Sequence, residues 1–144
     1  MAAPSRAHAP PYRAAPAPRN ASLERVLRFI DQHFTVQGLT ADHVARACHM
    51  SVRALHYLLR REQTSFATCL WSTRLRQADA WLMDREFAHF NIVDIAYMAG
   101  FRSGAHFSNA YRARFGVTPG EARSRPALSG GRLDGHDWLR KARI

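Results

Sequence analysis

This sequence predicts an all-α fold in which a long central helix joins two similar helix-turn-helix units. Three observations predict it. Apolar residues recur at helical three-and-four spacing, one pattern of caps and turns recurs after about 51 residues, and residues 65–84 contain no proline or glycine. The 144 residues leave room for one domain or two very small ones. An apolar share of 47% is enough for a packed core.

The first helices can be read from their caps and apolar stripes. Ser22 is a candidate N-cap for the first helix, and Gly38 lies in the loop that follows. Thr40 is a candidate cap for a short second helix, which ends at a turn formed by His49 and Met50. Ser51 is a candidate cap for a third helix that runs to about Arg61. The stripe of the first helix is Leu23, Val26, Leu27, Ile30 and Phe34, and that of the third is Leu55, Leu58 and Leu59.

The outward face of the third helix is basic and aromatic. Arg53, His56, Tyr57 and Arg60 follow the spacing of one helix face. Residues 51–61 contain no acidic residue, whereas a solvated face usually mixes both signs of charge. This pattern favours an element that enters a phosphate-lined groove. An ordinary amphipathic helix with a basic face is the alternative for this segment alone.

The same pattern recurs in the second half of the chain. Asn91 corresponds to Thr40, Ala96 to the equally small Ala45, and Gly100 to His49 at the turn. Gly100 favours a left-handed turn residue, and histidine tolerates that conformation better than most side chains. The second turn is one residue longer, and residues 102–116 again contain no Asp or Glu. The outward positions of this copy are Ala105, Ser108, Asn109 and Arg112.

A long helix and a short last helix complete the prediction. Trp71, Leu75, Ala78 and Leu82 have helical spacing within residues 65–84, so one helix should join the units and set their separation. Thr118-Pro119 predicts the start of a last helix through Arg123. The predicted domain is residues 22–125, divided into a first unit (22–63), a linker helix (64–85) and a second unit (86–125), with a disordered tail or linker at 1–21 and a flexible tail at 126–144.

The charge of the chain indicates the class of partner. The formal net charge is +10, from 21 basic and 11 acidic residues. Such an excess favours a polyanion, either nucleic acid or an acidic membrane surface. All basic residues except Lys141 are arginines. This bias suits bidentate contacts with phosphate and guanine, but a GC-rich genome would explain it equally well.

The cysteines, the apolar runs and the N-terminal tail indicate where the protein is expected to be located and which kinds of site it lacks. Cys48 and Cys69 lie far apart without a C-x-x-C motif, so we expect a reducing cytoplasm and no zinc module. No apolar run approaches the roughly 18 residues of a membrane span, and we expect no membrane contact. The tail at 1–21 resembles a transit peptide in its arginines, but its five prolines would spoil an amphipathic helix.

The most specific motif residues lie in the long helix and the second unit, and they are Arg74, Leu75, Ala78, Leu82, Ile92, Asp94, Ile95, Ala96, Gly100, Phe101, His106, Phe107, Ser108, Tyr111, Arg112, Ala113, Arg114, Phe115, Gly116, Thr118, Pro119 and Arg123. With them, about 100 residues of the chain resemble the DNA-binding module of the AraC/XylS-type bacterial transcription regulators. Four positions depart from the family pattern: Asn109 and Tyr57 replace a frequent arginine, Ala122 a usual aromatic residue and His49 a common glycine.

The resemblance implies about seven helices, of which the third and sixth enter successive major grooves of promoter DNA. Its base-reading residues would be Arg53, His56, Tyr57, Gly104, Ala105, His106, Ser108 and Asn109. Its phosphate-contacting residues would be Ser51, Arg60, Arg61, Arg102, Ser103, Arg112 and Arg114. For Arg61 and Arg114, plain solvated arginines are the alternative. No catalytic residue, metal or cofactor is implied.

The same resemblance implies a sequence-specific transcription regulator, acting as an activator that recruits RNA polymerase to promoters. Its expected location is the cytoplasm, in association with the nucleoid. Family members usually carry an effector-sensing domain ahead of this module, whereas this chain has only the tail there, so that domain is expected to be absent from it. The chain is either a stand-alone regulator or the end of a longer protein. The sequence leaves open whether it forms a homodimer.

The sequence also bears on two other classes of function, an enzyme and a protein that binds a partner without reading DNA. An enzyme needs a nucleophile with a base, but the eight histidines are scattered, and residues 100–104 do not form a G-x-S-x-G elbow. Two isolated cysteines cannot supply the zinc domain of a DNA-repair methyltransferase, and surface histidines explain His43, His49 and His56 better than a metal site does. The remaining alternative is a fragment that binds RNA polymerase or another partner without reading DNA.

Overall fold

The computed structural model describes residues 20–125, and within this range the fold is all-α, as predicted. The tails predicted at residues 1–21 and 126–144 lie outside the described residues, except for Asn20 and Ala21. Seven α-helices, the number that the family resemblance implies, and one short 3-10 helix at Arg85–Phe87 make up the described part. The α-helices are α1 Ala21–His33, α2 Ala41–Ala47, α3 Val52–Arg61, α4 Phe66–Met83, α5 Ile92–Met98, α6 Gly104–Phe115 and α7 Pro119–Ser124.

The start of α1 differs from the prediction. The helix begins at Ala21, so Ser22 lies inside it and is not its N-cap. The side-chain oxygen of Asn20 accepts a 3.2 Å hydrogen bond from the backbone N–H of Ser22, and the carbonyl of Asn20 accepts one of 2.8 Å from Leu23. Asparagine is as good a cap residue as serine, and Asn20 takes that role. Phe34, a member of the predicted stripe of α1, lies beyond the end of the helix.

The described residues form two compact units. The first comprises residues 20–33 and 38–70, and the second comprises residues 34–37 and 71–125. The division therefore falls inside α4, and the short segment after α1 belongs to the second unit. The unit boundaries at residues 63/64 and 85/86 stay a prediction.

The first unit is built around three packed helices. Helix α1 packs on α2, and α2 packs on α3. Apart from Phe34, the predicted stripes of α1 and α3 face this core, with Val26, Leu55 and Leu59 fully buried. Ala45 is 1% exposed, in agreement with the need for a small residue where α2 and α3 cross. The remaining buried apolar residues of the unit are Leu23, Leu27, Ile30, Leu39, Val44, Cys48, Leu58, Cys69 and Leu70.

The second unit has an aromatic core. Phe101, Phe107 and Tyr111 are at most 1% exposed, and the rings of Phe101 and Phe107 meet at a centroid distance of 5.0 Å. Helix α5 packs on α6, and α6 packs on α7. The other buried members are Leu75, Ala78, Leu82, Ile95, Ala96, Ala99 and Ala122. This core holds α6 in place and leaves its opposite face outside.

Helix α4 is 18 residues long and contains the buried polar residues Thr73 and Arg74. Within residues 20–125, no helix has the combination of length and apolar character that crossing a bilayer requires.

Candidate nucleic-acid interface

The two helix-turn-helix motifs turn in the same way. In the first, His49 has a left-handed φ of 57°, and the N–H of Met50 donates a 3.0 Å hydrogen bond to the carbonyl of Ala45. In the second, Gly100 has a φ of 91°, and the N–H of Phe101 donates a 3.0 Å hydrogen bond to the carbonyl of Ala96. The prediction that His49 takes the place of the turn glycine is confirmed.

The first helix of each motif starts with a cap and an acidic residue. The side chain of Thr40 accepts a 3.3 Å hydrogen bond from the N–H of His43, and Asp42 lies in the first turn of α2. Asn91 and Asp94 form a complete capping box on α5, with hydrogen bonds of 2.8 and 3.0 Å. The carboxylates of Asp42 and Asp94 offset the positive end of each helix dipole.

The second helix of each motif, α3 or α6, has a serine cap and no acidic residue in its first turn. The hydroxyl oxygen of Ser51 accepts a 3.0 Å hydrogen bond from the N–H of Ala54, and that of Ser103 accepts one of 3.0 Å from His106. Their O–H groups stay available to donate to a phosphate oxygen. The N-terminal ends of α3 and α6 therefore keep their positive partial charge.

The outward face of α3 matches the prediction residue by residue. Arg53, His56, Tyr57 and Arg60, the residues predicted for this face, are all exposed, and so is the neighbouring Arg61. Tyr57 is 62% exposed although its ring is large and apolar, and it lies between basic neighbours. The face therefore presents guanidinium, imidazole and phenol groups together and no carboxylate.

The outward face of α6 is built from smaller side chains. Ala105 and Asn109 are exposed, and Gly104 and Ser108 are half-buried. A Cβ on Gly104 would lie 3.1 Å from a methyl carbon of Val93, so α5 packs closely against the start of α6. The exposed arginines around this face are Arg102, Arg112 and Arg114, and the cap residue Ser103 is half-buried.

His106 combines an exposed side chain with a packed ring. Its imidazole meets the ring of Trp71 edge-on at a centroid distance of 4.7 Å and that of Phe101 at 5.7 Å. The ring therefore leans against α4 and the turn, although it remains partly open to solvent. The base-reading role of His106 stays a prediction, and these contacts give it a structural role as well.

Arg74 is a buried arginine whose hydrogen-bond partners could not be predicted from the sequence. It is 4% exposed and donates to two backbone carbonyls. Burial lowers the pKa of its guanidinium, and the charge of Arg102 lowers it further. A single arginine within the apolar stripe between Trp71 and Leu75 was the available signal, but its acceptors could not be named from the sequence.

The described residues hold no group of three or more His, Cys, Asp or Glu side chains placed to bind a metal ion. Cys48 and Cys69 are both buried free thiols, and burial raises the pKa of each. Arginine guanidinium groups dominate the charge of both outward faces. The chemistry available there is hydrogen bonding and charge attraction toward an anionic, hydrogen-bonding surface.

Comparison with known proteins gives the same family as the motifs. A family model described as a helix-turn-helix domain matches residues 44–125. The transcriptional activator NphR of Rhodococcus sp. is 34% identical over 112 residues, which are 78% of this chain and 32% of that protein. The activator RhaS of Escherichia coli strain SE11 is 32% identical over 101 residues, which are 70% of this chain and 35% of that protein.

The fold also matches a solved structure. A transcriptional regulator from Chromobacterium violaceum, described as containing an AraC-type DNA-binding domain, superposes with a TM-score of 0.69 at 29% identity. The match covers 76% of this chain and 95% of that one. The chain spans about a third of the length of the curated relatives that it matches. The chain belongs to the AraC/XylS-type family of helix-turn-helix transcription regulators, whose double helix-turn-helix module it carries.

Proposed function

We propose that this protein is a sequence-specific DNA-binding transcription regulator, and that α3 and α6 are its recognition helices. One observation carries the proposal: both helices follow a tight left-handed turn, begin at a serine cap, and present an outward face without a carboxylate. A helix with these properties fits the major groove, where phosphates line the rim and base edges accept and donate hydrogen bonds.

The chemistry of the two faces differs. On α3, the guanidinium of Arg53 can donate two hydrogen bonds to guanine, and the ring of Tyr57 can contact a thymine methyl group. On α6, Asn109 can pair with adenine, and the small Gly104 and Ala105 allow the helix backbone to approach the bases. We assign these residues, with His56, His106 and Ser108, to base reading.

Phosphate contacts fix the register of the protein on the duplex without reading sequence. The exposed arginines at the edges of the two faces suit this role because each presents several N–H donors to phosphate oxygens. We assign it to Ser51, Arg60, Arg61, Arg102, Ser103, Arg112 and Arg114.

The relatives named as activators support the further proposal that binding activates transcription, with RNA polymerase as the partner recruited to the promoter. Family membership supports placement of α3 and α6 in successive major grooves of one duplex. Such a protein acts on DNA in the bacterial cytoplasm and needs no catalytic group.

Selection from a randomised duplex pool at two salt concentrations tests the proposal. The wild type should enrich two short blocks about one helical turn, or about 10 base pairs, apart. Arg53→Ala should relax one block and keep the other. Arg28→Ala is the matched control, because it removes an exposed arginine from α1 in the same unit and should keep both blocks.

Two results of this selection would contradict the proposal or favour its alternative. Binding without enrichment, lost uniformly as salt rises, would leave a nonspecific basic module and would overturn the proposal. Retention of a partner such as RNA polymerase by a chain that enriches no sequence would favour the alternative of a partner-binding protein.

A further inference from the structure

Arg74 on α4 is hydrogen-bonded to the backbone of the segment that follows α1. The Nε atom of Arg74 donates a 2.8 Å hydrogen bond to the carbonyl oxygen of Phe34, and Nη2 donates a 2.8 Å hydrogen bond to the carbonyl oxygen of Val36. The side chain is 4% exposed, so it cannot itself reach a DNA base. An arginine stays protonated in proteins, and a buried cation depends on the hydrogen bonds that replace its water.

The second observation concerns the turn that leads into α6. A Cβ on Gly100 would lie 2.6 Å from the Phe34 carbonyl oxygen and 2.8 Å from Nε of Arg74. The backbone of the turn therefore rests directly on the atoms that Arg74 joins, at a separation that only glycine permits. The side-chain N–H of Gln37 adds a 3.4 Å hydrogen bond to the carbonyl of Phe101.

The third observation concerns Trp71, which lies three residues before Arg74 on α4. The guanidinium carbon of Arg74 is 5.3 Å from the centroid of the Trp71 ring, within the range of a cation–π contact. The same ring meets Phe101 at 5.0 Å and His106 at 4.7 Å. His106 lies in the first turn of α6, so Trp71 connects Arg74 to the start of the recognition helix.

We propose that Arg74 is a positioning residue: through Gly100 and Trp71 it sets the orientation of α6 and thereby the base preference of the second unit. This inference rests on the proposed function for base reading, whereas the orientation of α6 can be measured without DNA. A planar fork with two fixed donors suits this role, because a lysine ammonium cannot reproduce both hydrogen bonds in one geometry.

The test compares Arg74→Lys with Arg123→Lys in the full chain. Arg123 is a matched control because it belongs to the same unit and also donates to backbone carbonyls, at 2.7 Å to Phe90 and 3.5 Å to Phe87. Both variants would be selected on the randomised pool at a temperature where circular dichroism shows them folded. Amide hydrogen exchange of residues 100–109 and 119–124 would be measured in parallel.

Arg74→Lys should lower discrimination by about tenfold at the block that Asn109→Ala also relaxes, and leave the other block unchanged. Exchange should rise in residues 100–109, and not in 119–124. Arg123→Lys should keep both blocks at equal folded fraction. If Arg74→Lys does not fold, Trp71→Leu should give the same selective relaxation, since it removes the ring between Arg74 and His106.

Unchanged preference and unchanged exchange at residues 100–109 in a folded Arg74→Lys, or equal relaxation in Arg123→Lys, would overturn the positioning role. A wild type that enriches no sequence would instead overturn the proposed function. The exchange pattern would then decide by itself whether Arg74 orients α6.

Discussion

The phenol hydroxyl of Tyr111 donates a 2.6 Å hydrogen bond to Oδ1 of Asp79, and so ties the buried side of α6 to α4. Tyr111 is 1% exposed, and its ring packs between Phe107 at 5.7 Å and Phe115 at 4.5 Å. The outward face of α6 can be small and polar because this inner face anchors the helix.

Removal of the Tyr111 hydroxyl should destabilise the second unit. Tyr111→Phe keeps the ring but leaves the Asp79 carboxylate without its donor, and a hydrogen bond to a charged group contributes about 1.5–3 kcal/mol. Urea denaturation measures the change in the free energy of unfolding. Tyr97→Phe is the control, because Tyr97 is 48% exposed and its change should stay within about 0.5 kcal/mol. Equal losses in the two variants would contradict the role given to the Asp79 hydrogen bond.

The same hydroxyl should make stability depend on pH in the alkaline range. Burial, reinforced by the hydrogen bond to Asp79, raises the pKa of Tyr111 well above its usual value near 10. Above about pH 10 the phenol of the unfolded chain loses its proton, whereas the folded chain keeps it. The free energy of unfolding therefore falls as pH rises. Between the pKa of the unfolded chain and that of the folded chain, this one proton lowers the free energy of unfolding by about 1.4 kcal/mol per pH unit. The wild type should therefore lose stability above about pH 10 more steeply than Tyr111→Phe, and parallel curves would argue against this assignment.

Two glycines should respond to alanine in opposite directions. Gly116 ends α6 with a left-handed φ of 76°, so Gly116→Ala should destabilise by about 1 kcal/mol although no atom would clash. Gly120 lies in α7 with open space around it, so Gly120→Ala should stabilise by about 0.5–1 kcal/mol. Thermal and urea unfolding of both variants measure the sign of each change in the free energy of unfolding. A Gly116→Ala variant as stable as the wild type would mean that the backbone at the end of α6 adopts another conformation.

The salt dependence of DNA binding should distinguish residues that contact phosphates from residues that contact bases. Arg102→Ala should weaken binding to all duplexes alike and reduce the slope of log K against log salt by about 0.9, the value for one phosphate contact. Asn109→Ala should leave the slope unchanged and lose about 1–3 kcal/mol of discrimination at one base pair. Binding measured at several salt concentrations, on the selected site and on a scrambled duplex, distinguishes these effects. A reversal of the two patterns would exchange the roles of Arg102 and Asn109.

Much of the fold and of the candidate interface was predictable because the signals are local. Caps at Thr40, Ser51 and Thr118 act on N–H groups three residues away, and all three were found as hydrogen bonds. The left-handed turns followed from residue type at the corresponding positions. The Ser22 cap was wrong because Asn20, two residues earlier, is an equally good acceptor, and local sequence does not decide between them.

The sequence by itself determined which segments are helical, where the turns fall, and which side chains share the outward faces of α3 and α6, because helical periodicity and capping depend on residues within one or two turns. Only the tertiary structure decided what holds α6 in place. The acceptors of Arg74 lie 40 and 38 residues away at Phe34 and Val36, and the partner of Tyr111 lies 32 residues away at Asp79. Such pairings arise when packed helices bring distant polar groups together in a space that excludes water, and no spacing along the chain encodes them.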